Sequence, residues 1–427
     1  MNDTPRDELL HYCRASVDAC SPTVVVPPRL TEVMGAGLRD NAVERRKVAI
    51  FGVGKCAAPM ARGVEGAVNG KMVTSMVYIP SGYDCSVSKG TAVLVGDHPI
   101  PTARNVANTR RFVDAIRATP QDTTVVFVLS GGAGALLFEP PEGLRLDAVQ
   151  SMYRTLYLSG ADIATMNVVR KLTSHHKAGD VAQTVYPRPL VSIIMSDVIG
   201  DRLDVIGCGP TYPDGSTIED AIQIMQQYAA SDPFVGDIEK WLTSTSGRRF
   251  AESRRYPNAI FAGTRNIVLP CESVLLEFQR LLTQAGRVTR RTRSVRGTTL
   301  DEARWFSNEI RAPGRYVLAV AEPLSCFARS DRRGGRLAEF ALASAIKIDG
   351  AVATWLLAMA TDGLDGTTDA AGALVSGITC EKLRRAGIDP TCWLQEGKSF
   401  EALRTAEAIV PRFTSEVNHC DVLVGVS

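Results

Sequence analysis

The apolar run 48–54 ends in Gly52-Val53-Gly54, and Lys55 follows it directly. Glycine permits a close backbone approach to a ligand, and the N-terminus of a following helix presents N–H groups to an anion. Lys55 adds a cation at the same position. The spacing differs from a Walker A loop and lacks the third glycine of GxGxxG. The pattern indicates an anion-binding turn, with a tight strand–helix turn carrying a surface lysine as the alternative.

A second loop of small residues follows the apolar run 125–130. It begins at Ser130 and contains Gly131, Gly132 and Gly134. Successive backbone N–H groups in such a loop form a nest for phosphate or carboxylate. A glycine turn without a ligand is the alternative interpretation.

Carboxylates follow two further apolar runs. Asp197 ends the run 190–198, where a carboxylate is costly unless it is solvated, paired or metal-bound. It is well placed to hold Mg²⁺ directly or through water. Asp362, Asp365 and Asp369 are separated by glycines and indicate either a cation site or an Asx-turn loop without metal.

Basic side chains occur in two further clusters, and each cluster either clamps an anionic substrate or forms a solvated face. Their members, with one amide, are Asn167, Arg170, Lys171 and Lys177 in the first cluster and Arg332, Arg333 and Arg336 in the second. The chain has only five histidines and no GxSxG elbow. Glycine, lysine, arginine and aspartate at strand ends therefore favour phosphoryl transfer, which depends on positioning and charge stabilisation.

Short apolar runs alternate with helical patterns, which is typical of βαβ units and an α/β fold with parallel sheets. In such sheets ligands bind beyond the carboxyl ends of the strands. The predicted strands are 48–54, 76–80, 92–96, 125–130, 190–198, 259–263, 316–322, 352–360 and 421–426. The predicted helices are 28–46, 55–67, 103–118, 160–175, 217–229, 271–285, 299–312, 335–348 and 399–409.

Composition excludes several classes of protein. The 427 residues indicate two or three domains, and 48 basic against 46 acidic residues give a net charge of +2. Binding to nucleic acid or to a membrane is therefore not expected, and no apolar run has the length of a transmembrane helix. Ten scattered cysteines and a polar N-terminus indicate a reduced, cytoplasmic protein. A polar stretch at 230–258 predicts domains 1–245 and 246–427.

Seven segments in this order resemble the class II glycerate kinases, the family with a MOFRL C-terminal domain. The resemblance covers almost the whole chain. The segments are 51–61 (FGVGKCAAPMA), 96–111 (GDHPIPTARNVANTRR), 129–146, 160–182, 195–217, 332–343 (RRGGRLAEFALA) and 360–375. It implies a Rossmann-like N-terminal domain, a second α/β domain and an active-site cleft between them. It also implies phosphorylation of D-glycerate to 2-phosphoglycerate with ATP and Mg²⁺.

The resemblance places the catalytic positions at Lys55 and Arg336, whose cations would neutralise the γ-phosphoryl group or the glycerate carboxylate. Mg²⁺ is expected at Asp197, and either Asp197 or Asp362 would orient the substrate hydroxyl. The expected substrate- and phosphate-binding residues are Gly52, Gly54, Ser130, Gly131, Gly132, Gly134, Asn167, Arg170, Lys171 and Asp362.

The chain departs from the family pattern mainly in its C-terminal half. The family's GGGSAL reads GGAGAL at 131–136, and GGRNQE reads GGRLAE at 334–339. GGETTV and TGPTGTNVND are replaced by AEPLSC at 321–326 and RFTSEVNHCD at 412–421. These departures leave open a second function, a binding protein that kept the fold without turnover. A third, hydroxypyruvate reductase, stays open because some members of the family carry that older label.

Overall fold

A computed structural model describes residues 5–36, 47–68, 71–83, 85–311, 313–327 and 333–427. The chain forms two compact units. The first, Pro22–Leu269, is called the parallel-sheet unit below. The second combines Met1–Ser21 with Pro270–Ser427 and is called the mixed-sheet unit.

The helices are numbered in chain order. They are α1 (Pro5–Ala19), α2 (Pro22–Ala36), α3 (Ala57–Ala67), α4 (Ala103–Arg117), α5 (Ala133–Leu136), α6 (Leu146–Leu158), α7 (Ile163–Leu172), α8 (Asp180–Val185), α9 (Ile218–Tyr228), α10 (Val235–Thr243), α11 (Thr245–Ser253), α12 (Asn258–Ala262), α13 (Ser273–Gln284), α14 (Thr299–Glu309), α15 (Arg336–Lys347), α16 (Thr379–Arg385), α17 (Pro390–Gln395) and α18 (Ser399–Thr405). In the described part of the chain, no helix has both the length and the apolar character needed to cross a membrane.

The parallel-sheet unit is built on a six-stranded sheet in which every neighbouring pair is parallel. The spatial order is β3-β2-β1-β4-β5-β6, which is the strand order of the Rossmann fold. Its strands are β1 (Lys47–Val53), β2 (Lys71–Pro80), β3 (Thr91–Gly96), β4 (Thr123–Leu129), β5 (Leu190–Met195) and β6 (Thr264–Leu269). The prediction of an α/β fold with a Rossmann-like N-terminal part is confirmed.

Strand β4 shows why the unbroken apolar runs fold as central strands. All seven of its residues are buried. Phe127 and Leu129 pack into the core on one face of the sheet, and Val126 and Val128 pack into the core on the other face. A strand covered on both faces needs apolar residues at successive positions, as the sequence has them.

The mixed-sheet unit has a six-stranded sheet in the order β11-β10-β9-β12-β8-β7, and only the pair β7–β8 is parallel. Its strands are β7 (Thr289–Arg291), β8 (Tyr316–Ala321), β9 (Trp355–Met359), β10 (Ala370–Ser376), β11 (Ile409–Pro411) and β12 (Asp421–Val426). The expectation of mainly parallel sheets is wrong here. A loop without a helix joins β9 to β10, and such a connection reverses the chain, whereas parallel neighbours need a crossover.

Several predicted boundaries also change. The predicted strand 259–263 lies almost entirely in α12, and the strand that follows it is β6, whose first three residues are polar and partly exposed at the sheet edge. The polar stretch 230–258 contains α10 and α11 rather than a linker, and β6 pairs with β5, so the parallel-sheet unit extends to Leu269. Residues 37–46 of the predicted helix 28–46, and Arg332, lie outside the described residues.

Candidate active site

The order of strands reverses between β1 and β4, which are neighbours in the parallel sheet. Their last residues, Val53 and Leu129, lie opposite each other. Residues 54–56 and 130–134 therefore leave the carboxyl edge of the sheet side by side, at the position where open α/β sheets bind ligands. We call these two segments the loop pair.

Hydrogen bonds join the two segments of the loop pair to each other and to the end of β1. The Lys55 amide donates to Gly131 O over 2.9 Å, and the Cys56 amide donates to the Ser130 hydroxyl over 3.0 Å. The Ser130 amide donates to Val53 O over 3.1 Å. A displacement of either segment must therefore move the other.

Two glycines that the sequence assigned to phosphate binding differ in their surroundings. Gly54 has φ +122°, and a Cβ built on it would lie 2.4 Å from Ser130 Oγ and 2.5 Å from Ser130 O. The loop pair therefore requires glycine at this position. Gly52 lies inside β1, where a Cβ would approach Val128 Cγ2 to 2.7 Å. Its missing side chain serves packing between neighbouring strands.

The Lys55 side chain lies over the second segment of the loop pair. A Cβ at Gly132 would be 3.5 Å from Lys55 Cγ and 3.4 Å from His98 Cδ2. The Lys55 ammonium lies 5.6 Å from the ring centroid of Tyr83. Sequence reasoning assigned no role to His98, although it belongs to the quoted segment 96–111. The structure thus adds an imidazole beside the predicted lysine.

The far end of the loop pair is held by Lys177. The Lys177 ammonium donates to Gly134 O over 2.5 Å and to Leu137 O over 2.8 Å. A Cβ at Gly134 would lie 3.0 Å from Cys208 Sγ, so this glycine allows the segment after β5 to approach. The sequence placed Lys177 on a polar helix face, but the side chain is completely buried beyond the end of α7.

The predicted binding residues of α7 are buried and paired rather than solvated. Asn167 donates to Val205 O over 2.8 Å, and Arg170 donates to Asn167 Oδ1 over 3.3 Å. The Lys171 ammonium lies 2.7 Å from Asp214 Oδ1. These bonds attach α7 to the long segment after β5, which reaches Gly134 through Cys208.

Asp197 is half-buried and directly follows β5 and Ser196. Because β5 lies next to β4, Asp197 and Ser130 leave neighbouring strands at one edge of the sheet. Among the described residues, no three His, Cys, Asp or Glu side chains form a metal-binding group. Mg²⁺ in phosphoryl-transfer sites takes one or two carboxylates together with substrate phosphates. One carboxylate at this edge therefore fits that ion.

Arg336 begins α15 in the mixed-sheet unit. Its Nε lies 2.7 Å from Asp421 Oδ2, and its Nη1 is paired with Glu322. Burial opposes the charge, but the Asp421 and Glu322 carboxylates outweigh it and raise the pKa of Arg336. Lys55 belongs to the other compact unit, so the two predicted catalytic residues come from different units.

The aspartates after β9 make the bonds of turns and helix caps. Asp362 Oδ1 accepts from the Leu364 amide over 3.1 Å, which is an Asx-turn. Asp365 accepts from the amides of Leu337 at 3.1 Å and Ala338 at 2.8 Å and so caps α15. Burial raises the pKa of Asp365 to about 6. The Asx-turn that the sequence indicated as one interpretation is therefore present at Asp362.

A buried carboxylate that sequence reasoning missed fixes the segment before α15. Glu339 accepts from the Cys326 amide over 2.6 Å and from the Phe327 amide over 3.2 Å, and it also bonds the Thr299 and Ser325 hydroxyls. An acidic residue within the apolar pattern of α15 was the sequence signal that could have identified Glu339 as a buried, hydrogen-bonded carboxylate. Glu339 thus holds the residues that follow Glu322.

The strand order of the parallel sheet places the chain among the doubly wound α/β proteins, a class that binds ligands where the strand order reverses. Comparison with known proteins defines the group further. Residues 8–243 match the family described as a domain of unknown function, DUF4147, and residues 317–421 match the MOFRL family. The chain belongs to the family of MOFRL-domain glycerate kinases.

Individual relatives align with this chain over nearly its whole length. The D-glycerate 2-kinase of Thermotoga maritima is 30% identical over 399 residues, which cover 89% of this chain and 90% of the relative. A putative hydroxypyruvate reductase of Agrobacterium vitis is 29% identical over 437 residues, which cover 98% of this chain and 94% of the relative. The crystal structure of glycerate kinase from Thermotoga maritima has a TM-score of 0.79 at 27% identity and covers 99% of both chains.

Proposed function

We propose that this protein transfers the γ-phosphoryl group of ATP to the 2-hydroxyl of D-glycerate. The observation that carries the proposal is the loop pair at the strand-order switch point, with Lys55 above it. The name of the Thermotoga maritima relative supports the choice of substrate. Glycerate and ATP are both anions, so a glycine-rich backbone and the cations of lysine and arginine suit their binding.

The protein contributes little covalent chemistry to this reaction. The substrate hydroxyl attacks the γ-phosphorus in line, the bond to ADP breaks, and the hydroxyl proton leaves to a carboxylate or water. Negative charge spreads over the three equatorial oxygens. Lys55 and the backbone N–H groups of 131–134 would stabilise that charge. Mg²⁺, held by Asp197, would supply further neutralisation when bound.

Arg336 is proposed to bind the glycerate carboxylate. Its guanidinium carries five N–H donors, and 36% of its side chain is exposed although Glu322 and Asp421 flank it. The two carboxylates fix the plane of the guanidinium, so it meets a planar carboxylate without first being ordered. Asp197 and Asp362 stay alternatives for orienting the hydroxyl, and Asn167, Arg170 and Lys171 act by supporting the loops.

The test is ADP release by the purified protein with ATP, Mg²⁺ and D-glycerate, with the phosphorylated carbon identified by ³¹P NMR. Lys55→Ala should lower kcat by about 10²–10³ because one charge-stabilising donor is lost. Lys47→Ala is the matched control, because Lys47 begins β1, pairs with Asp122 and lies at the opposite end of the strand. ADP release that ignores glycerate would refute the proposal, and a ligand-induced rise in melting temperature without turnover would favour a binding protein.

Hydroxypyruvate reduction is the second candidate, favoured by the name of the Agrobacterium vitis relative. The strand order of the parallel sheet is also that of dinucleotide-binding proteins. The loop after β1 lacks the third glycine of their fingerprint. Oxidation of NADH with hydroxypyruvate, measured on the same preparation, decides between the two reactions.

A further inference from the structure

Lys177 is a buried cation whose hydrogen-bond partners are the backbone of the loop pair and its extension. Its side chain is completely buried, and its ammonium bonds Gly134 O and Leu137 O at 2.5 and 2.8 Å. Lysine is almost never fully buried without a partner, because an ammonium loses its hydration there. Here the partners are two neutral carbonyls at the two ends of α5. The ammonium thus fixes the peptide planes between Gly134 and Ala135 and between Leu137 and Phe138.

The backbone that presents Lys177 is itself firmly held. His176 and Ala178, on either side, have φ values of +66° and +51°, a region that costs residues other than glycine about 1–3 kcal/mol each. Asp180 accepts from the His176 amide over 2.7 Å. Arg254 donates to Lys177 O over 2.6 Å and to Asp180 Oδ1 over 2.9 Å. Such a conformation persists only where the surroundings enforce it.

We propose that Lys177 is a positioning residue for phosphoryl transfer. It holds the second segment of the loop pair so that Gly131 and Gly132 keep their positions relative to Lys55. The inference rests on the proposed kinase function. Gly131 O accepts the hydrogen bond of the Lys55 amide, so movement at Gly134 is transmitted to the lysine that is proposed to contact phosphate.

The charge of Lys177 gives a pH-dependent signature. Cys208, Arg170, Arg254 and Asp180 are the charged and titratable groups that face it. Burial lowers the pKa of Lys177 to about 8. The ammonium therefore loses its proton as the pH rises above that value, and kcat should fall along an alkaline limb. Lys177→Arg keeps the charge and should remove that limb, whereas Lys177→Met removes the charge at every pH.

The experiment compares kcat and KM of wild type, Lys177→Met and Lys177→Arg from pH 6.5 to about 9.5, a range that spans the expected alkaline limb. Lys177→Met should lower kcat about 100-fold, as expected for displaced catalytic groups, with a smaller change in KM for glycerate. Arg188→Met is the matched control. Arg188 is another buried cation of the parallel-sheet unit, and it donates to the carbonyls of Ile116 and Thr119. These carbonyls precede β4, and Arg188 itself precedes β5, so the contact lies at the opposite end of these strands from the loop pair. Arg188→Met should lower the melting temperature and leave kcat unchanged.

Hydrogen–deuterium exchange on residues 130–138 separates this inference from the proposed function. Lys177→Met should accelerate exchange there, and Arg188→Met should not, whether or not the wild type turns over. Absence of wild-type turnover would refute the kinase proposal alone. Unchanged exchange in Lys177→Met, or a kcat equal to that of active wild type, would overturn the positioning role.

Discussion

Replacing Gly54 by alanine tests the loop pair most directly. The new Cβ would lie 2.5 Å from Ser130 O, and the chain there has φ +122°. Ordinary contact begins near 3.4 Å, so the Ser130 backbone must retreat by about 0.9 Å. A displacement of about 1 Å at catalytic groups costs about 100-fold in rate. Backbone strain adds about 1–3 kcal/mol to the loss of stability, and overpacking adds about 1–3 kcal/mol more.

Gly90→Ala is the control for this variant. Gly90 also has a positive φ, +97°, but no described atom lies within 4 Å of an ideal Cβ there. It should therefore show the strain without the clash, which means a modest loss of stability and wild-type turnover. The measurements are kcat from coupled ADP release and the free energy of unfolding in urea. The reasoning fails if Gly54→Ala retains wild-type kcat, or if Gly90→Ala loses as much activity.

Two further predictions concern the carboxylates of Asp214 and Asp365. Asp214→Asn removes the partner of the buried Lys171 ammonium and should lower the free energy of unfolding by about 3–5 kcal/mol in urea. Adding Lys171→Met should recover part of that loss, and a single variant as stable as wild type would contradict the argument. The pKa of Asp365 rises from 3.8 to about 6 on folding, so its contribution to stability is full below pH 3.8 and is lost as the pH rises through about 6. Asp365→Asn should remove this decline from the melting temperature between pH 4 and 6, and an equal decline in both proteins would show that Asp365 does not cause it.

The parallel sheet was predictable because its signals are local. Continuous apolar residues identify β1, β4 and β5, and Thr217 and Thr298 mark the starts of α9 and α14, where both side chains make cap hydrogen bonds. Strand β10 was missed because its alanines and glycine have low strand propensity, and pairing with β9 and β11 decides its structure. The direction of neighbouring strands is not encoded in hydrophobic periodicity. Therefore the antiparallel character of the second sheet could not be obtained that way.

Within the candidate site, too, the residues marked by local sequence patterns were predictable and those defined by long-range contacts were not. Lys55 and the glycines of 131–134 follow apolar runs directly, so short sequence patterns found them. Lys177 bonds a carbonyl 43 residues away, and Arg336 pairs with Asp421 across 85 residues. No spacing rule predicts contacts of that range. The burial of the polar side chains of α7 could not be predicted for a similar reason. Their hydrogen-bond and ion-pair partners lie in the distant segment after β5.

Helix α1 is translated long before the residues that it packs against. It is synthesised before the parallel-sheet unit, yet its partners lie after that unit in the chain: Glu8 pairs with Arg287 and Tyr316, and Cys13 lies against Met359. The parallel-sheet unit of 22–269 is translated in between, which takes about 12–50 s at about 5–20 residues per second. A lone helix of 15 residues is marginal in water. The side chains that α1 buries in the folded protein, Leu9, Cys13 and Val17 among them, therefore wait throughout that interval for the residues that cover them.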